Sequence, residues 1–331
     1  MDSNTDTQQM KQFRNLACLA ATLMLSSVTP AFGNDSAAST GAGGIQLRRE
    51  ANISMQKERL TISESRVTVE YEFLNETDKD ITTEVEFPIP PYGYDADAVN
   101  GIPDFNDFHL WVDGKELKYH TDIRAKVNGK DYTDLLKSLG VDIESFDGDY
   151  GLEGEPPRGV ISRLPRRRFQ QLVALGLVGS ADGIPRWKVV KTYYWTQTFP
   201  AHKMLYVRHA YTPMIGFETT NLEDLAFDQR FCVDPSLQKA LRHHEASGFA
   251  MAWVDYILTT ANSWKTPIKD FTLVIDRRKG PAPTGSSGTR YVSLCWDGSI
   301  KKLDADHLIA HVKNFVPTRE LKVAFISMMN K

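Results

Sequence analysis

The chain has 331 residues, of which 41% are hydrophobic and 24% are charged, and its formal net charge is −3. This near-neutral balance argues against a general nucleic-acid-binding protein, which needs a broad basic surface. The length suffices for one large domain or two ordinary ones.

The first 33 residues are typical of a signal peptide. Lys11 and Arg14 supply a positive region, residues 16–28 are apolar, and the small residues Ala31 and Gly33 precede a predicted cleavage site. The apolar run is too short for an ordinary transmembrane helix. We therefore predict export to the periplasm of a Gram-negative envelope, with no transmembrane span after signal removal. A leader that is kept as an anchor is the alternative.

The segment after the leader predicts strands that follow a short polar end. Residues 34–44 are small, polar and glycine-rich, which favours a flexible mature N-terminus. Residues 45–123 then contain three alternating runs, at 53–62, 66–74 and 81–89, with β-branched and aromatic residues on one side. Antiparallel strands with one solvated face predict a β-sandwich-like region.

Helical spacing replaces the strand pattern between residues 124 and 185. Residues 132–139 and 165–178 have apolar positions at helical intervals, and Pro165 stands where a first helical turn tolerates proline. We predict a small helical insertion over 124–185.

Residues 186–331 return to a β-rich pattern, with one helix near 235–246. The runs 187–199 and 204–211 are rich in aromatic residues and predict strands. Residues 267–296 contain an alternating strand, a connection rich in Gly, Pro and Ser, and a return strand, which together predict a hairpin. The fold class that we expect is mainly β, with antiparallel β-sandwich-like units and the helical insertion.

Two cysteines lie outside the leader, Cys232 and Cys295. Two cysteines in an exported chain are expected to pair, and a closed loop of about 60 residues would then contribute about 4 kcal/mol. The alternative is two free buried thiols. Neither cysteine has the local signature of a cysteine hydrolase.

Ordered matches over nearly the whole chain after the leader carry a family resemblance. They are NDSAAS followed by Gly43-Gly44-Ile45, VEYEFLNETDKDIT, VEFPIP, TFPAH, YILTTANSWKTPIKDFTLVID, SLCW and FVPTREL. With these segments the chain resembles the bacterial exported proteins grouped as domain of unknown function 4424. The resemblance implies a compartment and an architecture, and it implies a disulfide because both cysteines fall where that family carries cysteines. It implies no activity and no catalytic residue.

Five arginines precede the apolar stretch 169–178. They are Arg158, Arg163, Arg166, Arg167 and Arg168. An arginine-rich helix start of this kind can contact anionic lipid or an acidic partner. We favour the other interpretation, a solvated face that acidic residues between 142 and 155 neutralise.

Aromatic residues of the strand near 190 are candidates for a ligand patch. They include Trp187, Tyr193 and Trp195, although strand alternation places some of these side chains in the core. His202 and His209 lie in the same aromatic region, and we expect them to be hydrogen-bonded structural histidines.

We expect no metal site and no cofactor. His307 and His311 are four residues apart, but in a strand this spacing corresponds to about 13 Å, which is too far for one ion. Asp95, Asp97 and Asp104 lie in one loop, but no glutamate closes a calcium-binding pattern there.

The function that we expect is a non-enzymatic binding or interaction module of the cell envelope. Its partner would be an envelope protein, a glycan or a lipid, held by an exposed sheet edge or by the insertion. The sequence contains no GxSxG, Walker loop or CxxC motif. The alternatives are a hydrolase of an envelope polymer with carboxylates from separate strands, and a peripheral membrane protein that docks through the arginine-rich segment.

Overall fold

The structure is a computed structural model, and it describes most of the chain after residue 35. The described residues are 36–41, 44–94, 107–144, 146, 159–180, 183–243, 248–278, 280 and 290–329, with side chains described from residue 49. The predicted leader, the aspartates at 95, 97 and 104, Arg158 and most of the predicted connection within 267–296 lie outside these residues.

Strands dominate the described part of the chain. In chain order they are β1 Ser36–Gly41, β2 Gly44–Arg48, β3 Ile53–Ile62, β4 Val67–Asn75, β5 Ile81–Pro88, β6 Tyr92–Gly93, β7 His109–Val112, β8 Lys115–Glu116, β9 His120–Val127, β10 Lys130–Asp131, β11 Lys188–Phe199, β12 Met204–Tyr211, β13 Ile215–Thr220, β14 Phe249–Tyr256, β15 Ile268–Asp276, β16 Tyr291–Ser293, β17 Lys301–Lys302, β18 His307–Phe315 and β19 Leu321–Met328. The helices are α1 Thr133–Ser138, α2 Val160–Arg163, α3 Arg166–Ala174, α4 Leu222–Phe227, α5 Pro235–Arg242 and a 3₁₀ helix at Thr259–Ser263. None of the described helices has the length and apolar character needed to cross a membrane.

The described strands form three sheets. The eight-stranded sheet has the order β17-β18-β15-β3-β4-β12-β7-β8, and the four-stranded sheet has the order β13-β14-β19-β16. The seven-stranded sheet has the order β10-β9-β11-β5-β1-β2, with β6 also paired to β11. Neighbouring strands are antiparallel except for β3 and β15, which are parallel. The predicted mainly β, antiparallel fold class with few short helices is confirmed.

The eight-stranded sheet takes strands from both predicted β regions. Strands β3 and β4 come from residues 45–123, whereas β15 and β18 come from residues 186–331. Leu60 lies opposite Leu273 where the two regions join. The two regions therefore do not form separate sheets, because alternation in the sequence predicts a strand but not its partner.

The hairpin predicted over 267–296 is wrong. β15 pairs with β3 and β18, whereas β16 pairs with β19 in the four-stranded sheet. A buried ion pair accompanies this change of sheet: Arg290 Nε lies 3.3 Å from Glu64 Oε1, and the two side chains are 2% and 0% exposed. Arg290 directly precedes β16, so this pair holds the start of β16 against the turn between β3 and β4.

The segment expected to be a flexible mature N-terminus also pairs with a sheet. Strand β1 pairs with β2 and with β5, where Ala37 lies opposite Val85. Without β1, this edge of β5 would leave its backbone donors and acceptors unpaired, which is why strand addition there is favourable.

The main core contains residues of all three sheets and of the helical insertion. Phe87 of the seven-stranded sheet contacts His209 of the eight-stranded sheet, with ring centres 4.7 Å apart. Leu136 of α1 and Leu172 of α3 are fully buried in the same core. A second, smaller cluster lies under α4 and α5 and includes Leu241.

Local signals explain the helix ends. Asp234 accepts hydrogen bonds from the backbone N–H groups of Ser236 (2.7 Å) and Leu237 (2.9 Å), which caps α5, and Pro235 is the first helical residue. The helix expected over 165–178 ends at residue 174, and Gly176 adopts φ +70° just beyond it.

Candidate functional site

A row of alternating charges crosses the outer face of the eight-stranded sheet. Arg59 of β3 lies opposite Glu70 of β4, and Glu70 in turn lies opposite Arg208 of β12. Arg208 lies opposite Trp111 of β7. Because successive residues of a strand point to opposite faces, these side chains point away from the core that buries Leu60.

A second row lies two residues away on the same face. Lys57 lies opposite Glu72, and Glu72 lies opposite Tyr206. The two rows line a groove with a cavity volume of about 390 Å³. We call it the sheet-face groove, and its side chains are those of Lys57, Arg59, Glu70, Glu72, Trp111, Tyr206 and Arg208.

The tight turn between β7 and β8 fixes the position of Tyr206. Asp113 N–H donates to the carbonyl of Tyr206 (2.8 Å), and Tyr206 N–H donates to Asp113 Oδ1 (3.1 Å). Asp113 and Gly114 adopt φ +47° and +75°, the left-handed conformation that a two-residue Asp-Gly hairpin turn requires. The Tyr206 side chain consequently stands at the groove rim, where it is 53% exposed.

Two neighbours orient the Trp111 ring. The Arg208 guanidinium lies 4.6 Å from the ring centre, a cation–π contact worth about 0.5–1 kcal/mol at an exposed site. On the strand itself, the His109 ring stacks with Trp111 at 5.4 Å and 15°. His109 Nδ1 in turn lies 2.8 Å from Glu116 Oε1, so the aromatic stack is tied to β8.

The charges of the groove are available to a ligand. Lys57 Nζ lies 3.4 Å from Glu72 Oε1, and Arg59 Nε lies 3.9 Å from Glu70 Oε2. Exposed ion pairs of this kind contribute about 0–1 kcal/mol, so a ligand can replace them at little cost. Among the described residues no carboxylate forms an ion pair with Arg208, whose planar N–H donors can therefore turn to an acceptor on a ligand.

The two carboxylates of the groove are poorly placed for acid catalysis. Glu70 is 53% exposed and Glu72 is 31% exposed at the side chain, and each lies beside a cation. Neither carboxylate lies in an enclosed apolar site. The arrangement suits binding of a polar ligand through aromatic faces and hydrogen bonds.

Two smaller cavities have less suitable linings. One cavity, of about 210 Å³, is lined in part by Pro91 and Tyr94. It lies next to the segment 95–106, which is not among the described residues. The other, of about 250 Å³, lies beside Trp296. Its carboxylate Glu320 already accepts hydrogen bonds from the Leu258 and Thr259 backbone N–H groups (2.5 and 3.2 Å), so it serves the fold.

The aromatic residues predicted as a ligand patch lie in the core. Trp187, Tyr193 and Trp195 are exposed by only 1%, 2% and 2%. Phe108 stacks on Tyr193 with ring centres 3.9 Å apart, and burial raises the pKa of Tyr193. Trp187 Nε1 donates to the Ile143 carbonyl at 3.0 Å. Trp187 directly precedes β11, which contains Tyr193 and Trp195, and all three have odd numbers, so they share the face that the core covers.

The two histidines of this region differ sharply. His209 is fully buried among aromatic rings, and desolvation lowers its pKa to about 3, so it is neutral at pH 7. His202 is exposed, and its Nε2 lies 2.7 Å from Asp78 Oδ1. Neither can activate a cysteine, because Cys232 and Cys295 form a disulfide.

The predicted disulfide is present. Cys232 and Cys295 bond with their Cα atoms 5.0 Å apart and so join the segment before α5 to the chain after β16. Close by, Ser293 Oγ donates to the Phe231 carbonyl at 2.9 Å. The bond therefore fixes the helical cluster to the four-stranded sheet.

The histidines of β18 contact different aspartates. His307 Nδ1 lies 2.9 Å from Asp304 Oδ1, and His311 Nε2 lies 2.5 Å from Asp270 Oδ1. The hydrogen bond from Lys313, with a smaller contribution from His311, lowers the pKa of Asp270. In the part of the chain that is described, no three His, Cys, Asp or Glu side chains are grouped as a metal site.

The candidate lipid or partner contacts are all at the surface. Arg163 ends α2, and Arg166, Arg167 and Arg168 begin α3, with every side chain exposed. None of them lines the sheet-face groove.

Sequence reasoning did not single out the groove residues. Their signal was the outward phase of each strand, where Glu70 and Glu72 alternate with the apolar Val69, Tyr71 and Phe73. That phase identifies a solvated face, but it does not show which strands stand side by side, and the groove exists only through that pairing.

Comparison with known proteins places the chain in one group. A family model described as "Domain of unknown function (DUF4424)" matches residues 33–324. No curated protein matches the chain. Among solved structures, the chain is similar to the crystal structure of a "putative nutrient binding protein" from Legionella pneumophila, with 14% identity and a TM-score of 0.38 over 89% of this chain and 70% of that one. A likeness this distant supports no inference about function.

Proposed function

Because the chain belongs to the DUF4424 family, whose description assigns no activity, we propose a function from its own geometry. The protein is a non-enzymatic binding module of the cell envelope that holds an acidic polysaccharide in the sheet-face groove. The observation that carries this proposal is the exposed Tyr206 and the half-buried Trp111 beside Arg208, whose guanidinium forms no ion pair among the described residues.

Export is part of the proposal. The Cys232–Cys295 disulfide supports it, since disulfides persist in oxidising compartments and are rare in the cytosol. The leader-like composition of residues 1–33 is the second support.

The shape of the groove suits a chain of sugars. Four neighbouring strands span about 14 Å, which is longer than a single sugar ring. Aromatic faces bind the apolar faces of sugar rings, while guanidinium and carboxylate groups bind hydroxyl groups. The groove lies on the outer face of the sheet and is open to solvent. An internal stretch of a polymer can therefore bind there, and no free chain end is needed.

The charge of the groove selects the ligand class. Three cations, Lys57, Arg59 and Arg208, outnumber the two anions, Glu70 and Glu72. A planar guanidinium pairs with a carboxylate through two parallel hydrogen bonds, so Arg208 favours a sugar with a carboxylate group. An acidic polysaccharide therefore fits better than a neutral one.

Affinity electrophoresis tests the proposal. The purified protein migrates through gels that contain polygalacturonate, an acidic polysaccharide, or dextran, a neutral one. We expect polygalacturonate to retard the wild type. We expect the affinity for polygalacturonate to be at least tenfold weaker in Tyr206→Ala and Trp111→Ala, because aromatic side chains that a ligand buries dominate binding energies. The matched control is Phe227→Ala, which removes a 78% exposed aromatic ring outside the groove.

Three results would contradict the proposal. They are no retardation of the wild type by either polymer, equal retardation of the wild type and Tyr206→Ala, and equal weakening in Phe227→Ala. Unchanged melting temperatures in the variants show that loss of binding is not loss of folding, since exposed substitutions change stability by only about 0.5 kcal/mol. If the wild type shortens the polymer, the proposal that the protein is not an enzyme is refuted.

A further inference from the structure

Four exposed arginines lie within six residues of sequence on α2 and α3. They are Arg163, Arg166, Arg167 and Arg168, and we call them the arginine patch. The patch lies outside the sheet-face groove and outside the two smaller cavities. It therefore calls for an explanation that is independent of the proposed function.

The arginine patch has no anionic partner among the described residues. Its one side-chain hydrogen bond there runs from Arg168 Nη1 to Gln171 Oε1, at 3.1 Å. Glu144, one of the acidic residues that the sequence offered for neutralisation, instead accepts hydrogen bonds from Lys191 (2.9 Å) and Tyr92 (3.3 Å). All four arginine side chains are exposed, and no carboxylate of the described residues neutralises them.

The stability of α3 does not explain the arginines. Cations in the first turn of a helix face the positive end of its dipole, which is unfavourable. The first turn of α3 contains no acidic residue, and Pro165 provides no side-chain cap. The helix is held by its apolar face, where Leu172 is fully buried and Phe169 and Val173 pack on the core. Arg166, Arg167 and Arg168 lie in the first turn of this helix, where all three side chains are exposed.

The surroundings of the patch indicate the kind of partner. A stable protein interface needs an apolar or aromatic centre. The large exposed apolar side chains of the described residues are Leu117, Tyr206, Phe227, Leu303 and Val316, and none of them belongs to the described segment 159–180. A layer of anionic headgroups needs no such centre, because lipids move laterally to meet the charges.

We propose that the arginine patch docks the protein on a bilayer that contains anionic phospholipids. Each basic residue close to such a surface strengthens partitioning about fivefold, so four arginines together contribute a gain on the order of several hundredfold at low salt. The attachment is electrostatic, because the apolar face of α3 is already buried in the protein.

Vesicle co-sedimentation tests this docking. The full protein is spun with vesicles of phosphatidylcholine alone or mixed with phosphatidylglycerol, in low-salt buffer. We expect binding only to the mixed vesicles, a loss of about a hundredfold or more in R166E/R167E/R168E, and release of the wild type as salt shortens the screening length.

A matched control distinguishes the effect of the arginine patch from the effect of the protein's net charge. It reverses three exposed lysines at the two edges of the eight-stranded sheet, Lys115, Lys301 and Lys302. K115E/K301E/K302E has the same net charge as the patch variant, and we expect it to bind within about threefold of the wild type in total, because these lysines lie outside the patch. Circular dichroism of both variants confirms that they fold.

The proposal fails if the wild type does not sediment with phosphatidylglycerol vesicles, which would also point to an acidic protein as the partner. It fails equally if the lysine control loses as much binding as the patch variant. Tyr206→Ala should bind these vesicles like the wild type, so failure of the groove proposal and failure of the docking proposal are distinguishable.

Discussion

The buried imidazole of His209 makes stability depend on pH in a way that can be calculated. Its pKa is lowered to about 3 by desolvation, compared with 6.5 for an unperturbed histidine. Below pH 6.5 the unfolded chain therefore binds a proton that the folded chain does not. By linkage, folding stability falls as pH decreases from 6.5 towards 3, and the loss between pH 7 and pH 4 is about 3 kcal/mol.

The assay compares urea unfolding at pH 7 and at pH 4 for the wild type and His209→Phe. Phenylalanine suits this site because Phe87, Phe108 and Trp195 already surround it with rings 4.7–5.3 Å away. The change in stability between pH 7 and pH 4 is measured separately for each protein, so any cost of repacking the phenylalanine cancels. We expect the wild type to lose about 3 kcal/mol more than the variant. An equal loss in both proteins would refute the buried neutral imidazole.

Three further changes test the fold around the site by the same unfolding assay. Replacing Cys232 and Cys295 by serine should cost about 4 kcal/mol, because the bond closes a loop with a sequence separation of 63, and a reductant should destabilise the wild type equally. Glu64→Gln should cost about 3–5 kcal/mol by leaving Arg290 charged and buried, and a cost below about 1 kcal/mol would contradict the ion pair. Gly114→Ala should cost about 1 kcal/mol because its φ is +75°, and a stabilised variant would contradict that turn.

Local structure was predictable because its causes are local. The alternating run 204–211 corresponds to β12, and the Asp-Pro sequence before residue 236 marks the start of α5. The Asp113-Gly114 pair is a typical two-residue hairpin sequence, and it forms the turn that fixes Tyr206. Each of these signals lies within the element that it specifies.

Sheet pairing was not predictable in the same way. Strands β3 and β15 are more than 200 residues apart in sequence, and nothing in either strand identifies the other. The same limit explains the wrong hairpin at 267–296, since two good strands separated by a turn-rich segment need not pair. The groove could not be predicted for the same reason, because its residues come from four strands between residues 57 and 208.

One irregularity in β3 shows how the groove depends on the fold. Ile53 and Met55 point inward, but so do Leu60 and Ile62, which have the opposite parity. The pairing with β4 shifts between Met55 and Lys57, so Gln56 is the extra residue of a β-bulge.

The bulge is what turns the groove cations outward. Without it, a strand that kept Met55 in the core would also turn Lys57 and Arg59 into the core, while Leu60 would face solvent. The change of apolar parity between residues 55 and 60 is visible in the sequence, and it is the signal from which the bulge could have been inferred. Because one inserted residue both completes the core and places Lys57 opposite Glu72, the groove and the hydrophobic core of β3 are specified by the same irregularity.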